Sequence, residues 1–128
     1  MTMELDAFCS RLGDGQGRVE TSAGEACFVL GDIEPGRLFD LQLGDYAEVV
    51  QATDLTGVTL IRARCTLSVP ASLPTNLAWE ASILVDGAKL AWASCGAGRS
   101  RELTDLAANV SKLTGTHEVA VRLSLVVA

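Results

Sequence analysis

The chain has little of the side-chain chemistry from which catalytic and zinc sites are built. Its 128 residues include one histidine, His117, and four cysteines that form no C-x-x-C pair. Zinc needs several Cys or His ligands at short spacings, and a catalytic triad needs a base that a carboxylate orients. His117 and Glu118 are adjacent on a predicted strand, so their side chains point to opposite faces. We therefore expect neither a zinc site nor enzymatic activity.

Other absences narrow the class of protein. The sequence contains neither G-x-x-x-x-G-K nor G-x-G-x-x-G, the loops that bind phosphate groups. It has no run of about 18 apolar residues and no basic segment before an apolar one at its start. The net charge is −6, whereas proteins that bind nucleic acids usually carry a basic surface. We expect synthesis in the cytoplasm without a signal peptide, no membrane span and no nucleic-acid partner. The four thiols are expected to be reduced, with two disulfides as the alternative if the protein works outside cells.

Aromatic residues make up only 5% of the chain, whereas hydrophobic residues make up 48%, as in an ordinary globular protein. The length suffices for one domain with a core of its own. Short alternating segments between turn signals predict an all-β fold, a single antiparallel β-sandwich or jelly roll over residues 1–128. Apolar spacing adds one or two short helices, over residues 2–12 and from Thr104 to Gly115. An edge strand is the alternative for 2–12.

The strongest local signal is a β-hairpin formed by Trp79–Val85 and Ala88–Cys95. Asp86-Gly87 lies between them and accepts the positive φ angles of a two-residue turn. Unbroken pairing outward from the turn places four pairs on one predicted core face: Val85–Ala88, Ile83–Leu90, Ala81–Trp92 and Trp79–Ser94.

Trp79 and Trp92 thus fall diagonally adjacent on that face, which admits two interpretations. Both are core residues, or they form an aromatic platform for a sugar or a base. We favour the core, and then expect Trp92→Ala to destabilise the protein by about 3–5 kcal/mol.

Two long strands complete the predicted core. Residues 57–69 and 116–127 alternate apolar and polar side chains, which is typical of half-buried antiparallel strands. The predicted inward residues are Ile61, Ala63, Cys65, Leu67 and Val69 on the first strand, and Val119, Val121, Leu123 and Leu125 on the second.

The segment from Trp79 to Val127 resembles a known family. It contains Val85-Asp86-Gly87, a return strand, a Gly-rich loop, Leu103-Thr104-Asp105-Leu106, Leu113-Thr114-Gly115 and the strand from His117 to Leu123. This order is similar to that of the galactose-binding-domain-like jelly rolls, including those appended to glycoside hydrolases. One departure is His117, where the family usually has Asn.

The resemblance implies a jelly-roll sandwich. Members of the family are sugar-binding or purely structural, and they often hold a structural calcium near a loop. The carboxylates that fit such a calcium by residue type are Asp32, Glu34, Asp40 and Asp45, because calcium takes several oxygen ligands. No other cofactor is expected.

Two functions remain open. The first is a non-catalytic structural or interaction subunit of a larger assembly, with other subunits or further copies of itself as partners. A phage-type virion protein, for capsid decoration, tail or attachment, is one form of it. The second is a lectin-like carbohydrate-binding module, for which Tyr46 and Trp92 are the candidate ligand-binding residues.

Overall fold

The computed structural model describes residues 9–12, 17–22, 25–30, 46–69, 71 and 73–128. None of these residues is helical, so the described part of the chain offers no helix that could cross a membrane. The strands are β1 (Cys9–Leu12), β2 (Gly17–Ser22), β3 (Glu25–Leu30), β4 (Tyr46–Asp54), β5 (Leu60–Ser68), β6 (Leu77–Val85), β7 (Ala88–Gly96), β8 (Ser100–Asn109) and β9 (Thr116–Val127).

All the strand pairs are antiparallel. Five strands form one sheet in the order β1-β4-β9-β6-β7, while β5 pairs with β8 and β2 pairs with β3. Side chains from β6 and β9 pack against side chains from β5 and β8 in one hydrophobic core. The all-β antiparallel sandwich predicted from the sequence is thus confirmed.

β6 is the most buried strand of the larger sheet. It pairs with β9 on one side and β7 on the other, and residues 78–85 are all buried. Trp79, Ala81, Ile83 and Val85 enter the main core, where each large apolar side chain stabilises the fold by about 1.5–3 kcal/mol. The intervening residues of β6 face the opposite side of the sheet, which we call the outer face.

The predicted alternation of β5 is confirmed. Ile61, Leu67 and Val69 are buried, whereas Arg62 and Arg64 are exposed. β9 agrees as well, because Val119, Leu123 and Leu125 lie in the same core. A period of two residues therefore identified the inward face of both strands. Val121, also predicted to point inward, is half-buried, and Ala120, predicted to point outward, is buried in a second cluster with Val50 and Leu84.

The hairpin forms at the predicted turn, but its register contains an irregularity. Asp86 has a φ of 51° and Gly87 a φ of 80°, as a two-residue turn between antiparallel strands requires. Pairing is regular for Val85–Ala88 and Leu84–Lys89, and then Ile83 pairs with Ala91. Leu90 is therefore an extra residue, a β-bulge in β7.

The bulge reverses the faces of β7 beyond the turn, because a slip of one residue moves every later side chain to the other side. Ala91, Ala93 and Cys95 point to the core, whereas Trp92 is 56% exposed on the outer face. Trp79, at 9% exposure, is the core tryptophan. The prediction that Trp92 is a core residue was therefore wrong.

The two predicted helices also require correction. Cys9–Leu12 is β1 and pairs with β4, as in the edge-strand alternative, while residues 2–8 lie outside the described residues. An isolated helix of that length is marginal in water, whereas strand pairing satisfies the backbone.

The segment predicted as helix from Thr104 to Gly115 begins in β8 and ends in a turn. Leu106, Ala108 and Val110 are all buried, which is the period of a strand, and Leu106 pairs with Ala63 of β5. The helical spacing of Leu106 and Val110 also fits every second residue, so apolar spacing alone was ambiguous.

The two tryptophans give a direct test of the hairpin register. Trp79→Ala is expected to lower the free energy of unfolding by about 3–5 kcal/mol, because it leaves a cavity in the core. Trp92→Ala is expected to cost about 1 kcal/mol or less, because an exposed side chain loses little packing. Urea unfolding followed by circular dichroism measures both changes, and equal losses in the two variants would contradict the bulge.

Candidate functional site

Trp92 lies on β7, which is an edge strand of the five-stranded sheet. The Nζ atom of Lys89 lies 4.8 Å from the centre of its ring, within the range of a cation–π contact. The same Nζ atom donates to Oε1 of Glu80 at 2.8 Å. The Glu80 side chain is 9% exposed and that of Lys89 is 40% exposed, so this ion pair sits at the boundary of the outer face. Lys89 thus holds the indole in place, and its own charge is compensated.

A cleft of about 420 Å³ opens beside Trp92, between the edge of β7 and β8. The residues that line it are Leu90, Ala91, Trp92, Ala93, Arg101, Leu106 and Ala107. All of these side chains except Arg101 are apolar, while much of the lining surface is polar. Leu90 is 40% exposed, so this edge carries two of the large exposed hydrophobic side chains in the described part of the chain. The cleft exists because the alanine side chains of β7 and β8 do not fill the space between the larger side chains at its border.

Arg101 supplies the charge of the cleft. It lies near the start of β8, and its Nη1 atom donates to the backbone oxygen of Ser94 on β7 at 3.0 Å. This bond places the guanidinium at the edge of β7, which has no second strand neighbour in the described part of the chain. Guanidinium has five N–H donors in a planar fork, so the group retains capacity for an anionic acceptor.

Tyr46 does not share a platform with Trp92, although both lie on the outer face. In the sheet register Tyr46 is opposite Ser124, which is opposite Glu80, which is opposite Ser94. Three strand spacings correspond to about 14 Å. The two candidate sugar-binding residues are therefore separate.

Tyr46 belongs instead to a cluster on the outer face in which the half-buried Arg122 contacts the buried Glu48. The Arg122 guanidinium carbon lies 4.2 Å from the centre of the Tyr46 ring. Nε of Arg122 donates to Oε2 of Glu48 at 2.8 Å, and Glu48 is 1% exposed. A carboxylate so far from water needs a charged partner, which makes this arrangement structural.

The four carboxylates suggested for calcium, Asp32, Glu34, Asp40 and Asp45, lie outside the described residues. Within the described ones, no group of three or more His, Cys, Asp or Glu side chains is placed to hold a metal ion. Cys65 and Cys95 are free thiols that face the core, and burial raises the pKa of the Cys65 thiol.

His117 connects the hairpin turn to the start of β9. Its Nδ1 lies 2.6 Å from Oδ2 of Asp86, and its Nε2 lies 2.9 Å from the backbone oxygen of Thr114. Asp86 also accepts from the Glu118 amide at Oδ1 and donates its own amide to the Glu118 oxygen, at 2.9 and 2.8 Å. The predicted turn is therefore bonded to a strand 30 residues further along the chain.

Both ring nitrogens of His117 face acceptors, and only the protonated ring can donate at both positions. The Asp86 carboxylate, followed by the Thr114 carbonyl, raises the pKa of His117, and His117 in turn lowers the pKa of Asp86. A catalytic histidine needs one nitrogen free for the substrate or nucleophile. The pair resembles the base and orienting acid of a triad, but its geometry is that of a structural ion pair.

Comparison with known proteins gives no match: no family model, no curated protein and no solved structure is similar to the chain. The site therefore rests on its own geometry. The sequence predicted Trp92 as a candidate binding residue but not Leu90 or Arg101. The position of Leu90 depends on a β-bulge and that of Arg101 on a contact between two sheets, and neither feature produces a local sequence pattern.

The cluster around Arg122 gives a second stability test. Arg122→Ala is expected to lower the free energy of unfolding by about 3 kcal/mol, because it removes a cation from the buried Glu48 carboxylate. Arg62→Ala is the matched control, since Arg62 is exposed on β5 and should change stability by about 0.5 kcal/mol or less. Equal effects in urea unfolding would contradict the structural role of Arg122.

The His117–Asp86 pair predicts a pH window. The raised pKa of His117 gives stability that is complete below its ordinary value of 6.5 and is lost as pH rises through the folded-state pKa. The lowered pKa of Asp86 gives stability that is complete above its ordinary value of 3.8 and is lost as pH falls through the folded-state pKa. The urea midpoint of the wild type should therefore exceed that of His117→Gln most between about pH 4 and pH 6.5. A difference that does not vary from pH 4 to pH 9 would contradict the ion pair.

Proposed function

We propose that this protein is a non-catalytic interaction subunit that binds another protein at the edge formed by β7. The observation that carries the proposal is the exposure of Trp92 and Leu90 beside a cleft of about 420 Å³ at that edge. Tryptophan and arginine are enriched among residues that dominate binding energy at protein interfaces, and Trp92 and Arg101 border the same cleft.

The backbone supports the same function. In the described part of the chain β7 has β6 as its one strand neighbour, so alternate residues direct N–H and C=O groups to a side without a second strand. Two oxygens of β7 already accept hydrogen bonds, Ser94 from Arg101 and Gly96 from the Arg99 amide. An apolar edge of this kind readily pairs with another chain. In the proposed subunit that tendency is used for assembly.

Carbohydrate binding is the second candidate, because the exposed Trp92 is the aromatic surface that such a module requires. Two features weigh against it. Lys89 lies over the indole ring, and the described lining of the cleft has one polar side chain, Arg101, where a sugar needs several hydrogen-bonding groups. The narrower hypotheses of a phage-type virion protein and of a galactose-binding-domain-like jelly roll remain untested predictions.

Fluorescence separates the two functions. We expect the wild type to show a long-wavelength component that Trp92→Phe removes, and expect neutral and acidic oligosaccharides to leave it unchanged. A saturable blue shift with an oligosaccharide, absent in Trp92→Phe, would contradict the protein-interaction function and support the lectin-like one.

Light scattering after size exclusion, at two protein concentrations, tests whether the edge joins copies of the chain. We expect 13.4 kDa at both concentrations, because two chains of net charge −6 repel each other. A larger mass that Trp92→Ala abolishes would identify another copy as the partner. A larger mass that the variant retains would contradict the assignment of the interaction to β7.

A further inference from the structure

We propose that the β7 edge binds an extended, partly acidic segment of a different protein, which adds a strand to the sheet and places a carboxylate on Arg101. This inference rests on the proposed function and specifies its partner. Three features of the edge carry it: a strand with one strand neighbour among the described residues, a cleft lined by apolar side chains, and the Arg101 cation bonded to that strand.

The β7 strand favours a peptide over other ligands. An added strand would hydrogen-bond to the backbone groups along β7, and this part of the binding needs no particular side chains from the partner. Alternate side chains of an added strand point to opposite faces, so every second one reaches the same side of the edge. The cleft lies beside Trp92 on this edge and can accept one or two of them.

The lining of the cleft favours apolar side chains at those positions. Leu90, Trp92 and Leu106 are apolar walls, while Ala91 and Ala93 are too small to fill the space between the two sheets. Binding of a partner that buries an apolar side chain there is favoured, because apolar surface is removed from water.

Arg101 favours an acidic residue next to the apolar ones. It is the one charged side chain among the described lining residues, and Lys89 nearby is already paired with Glu80. Its bond to the Ser94 oxygen holds the guanidinium in place before binding, so a carboxylate meets a preorganised donor. Hydrogen bonds between two charged groups are about twice as strong as neutral ones.

Charge also argues against a second copy as the occupant. A two-fold pairing of two β7 edges brings the Arg101 of both chains to one interface, and like charges there oppose association. The segment therefore belongs to a different protein.

Three blocked heptapeptides of alternating valine and serine provide the probes, with one valine next to the central one replaced by glutamate, by lysine or by serine. The replaced residue lies on the same face of the added strand as the remaining valines. Titration into the full chain is followed by Trp92 fluorescence and by backbone amide shifts. We expect saturable binding of the glutamate peptide, at least about 10-fold tighter than the lysine peptide, with shifts along β7. A glutamate peptide that carries N-methyl groups on its pairing edge is expected to lose binding, because it cannot donate to the strand.

The variants separate this inference from the proposed function. Arg101→Gln should weaken the glutamate peptide about 10-fold and leave the serine peptide unchanged. Lys112→Gln, in an exposed turn outside the cleft lining, is the control without effect. Trp92→Ala should weaken all three peptides, with thermal unfolding as the check that it remains folded.

Equal binding of the glutamate and lysine peptides, lost in Trp92→Ala, would overturn the acidic partner but leave the interaction function standing. Binding of N-methylated and unmodified peptides with equal affinity would overturn strand addition. If none of the peptides shifts any β7 resonance at millimolar concentration, the inference is wrong, whatever light scattering shows about the proposed function.

Discussion

The β-bulge at Leu90 is the constraint on which the character of the β7 edge depends. One additional residue after the hairpin turn places Ala91, Ala93 and Cys95 towards the core and Trp92 towards solvent. With the small residues inside, β8 can approach the edge of β7, and a cleft remains between the strands. With the large residue outside, that cleft acquires an aromatic wall. Bulges occur often at sheet edges, where they re-aim side chains.

Asp86 combines two roles that are usually separate. Its backbone adopts the positive φ of the turn, and its carboxylate and amide bind both His117 and Glu118 at the start of β9. The turn is therefore held by contacts distant in sequence as well as by its own conformational preference. Asparagine would also adopt the turn, but it lacks the charge that raises the pKa of His117.

Local patterns predicted much of the fold. The Asp86-Gly87 turn and the alternation of β5 and β9 follow from properties of neighbouring residues, and all three are present. β8 was harder to predict from sequence, because the spacing of Leu106 and Val110 fits a helix as well as a strand. The pairing with β5 is what makes this segment a strand. The register of β7 could not be predicted, since the bulge depends on how Ala91 and Ala93 pack against the opposite sheet.

The candidate site shows the same division between local and long-range information. Trp92 was a candidate because it is one of two tryptophans in the chain. Whether it was core or surface depended on the position of a single bulge. Arg101 is part of the candidate site because the short connection between β7 and β8 brings the Arg101 guanidinium to the Ser94 carbonyl.

β6 is buried on both faces and paired along both sides, whereas β7 is paired on one side within the described sheet. Amide hydrogens in the centre of β6 should therefore exchange with deuterium only when the whole domain unfolds, while those on the free side of β7 exchange from the native state. Local opening of the outermost strand then leaves the centre of the sheet intact. The β7 edge can therefore change conformation when a partner binds, while the core of the protein remains folded.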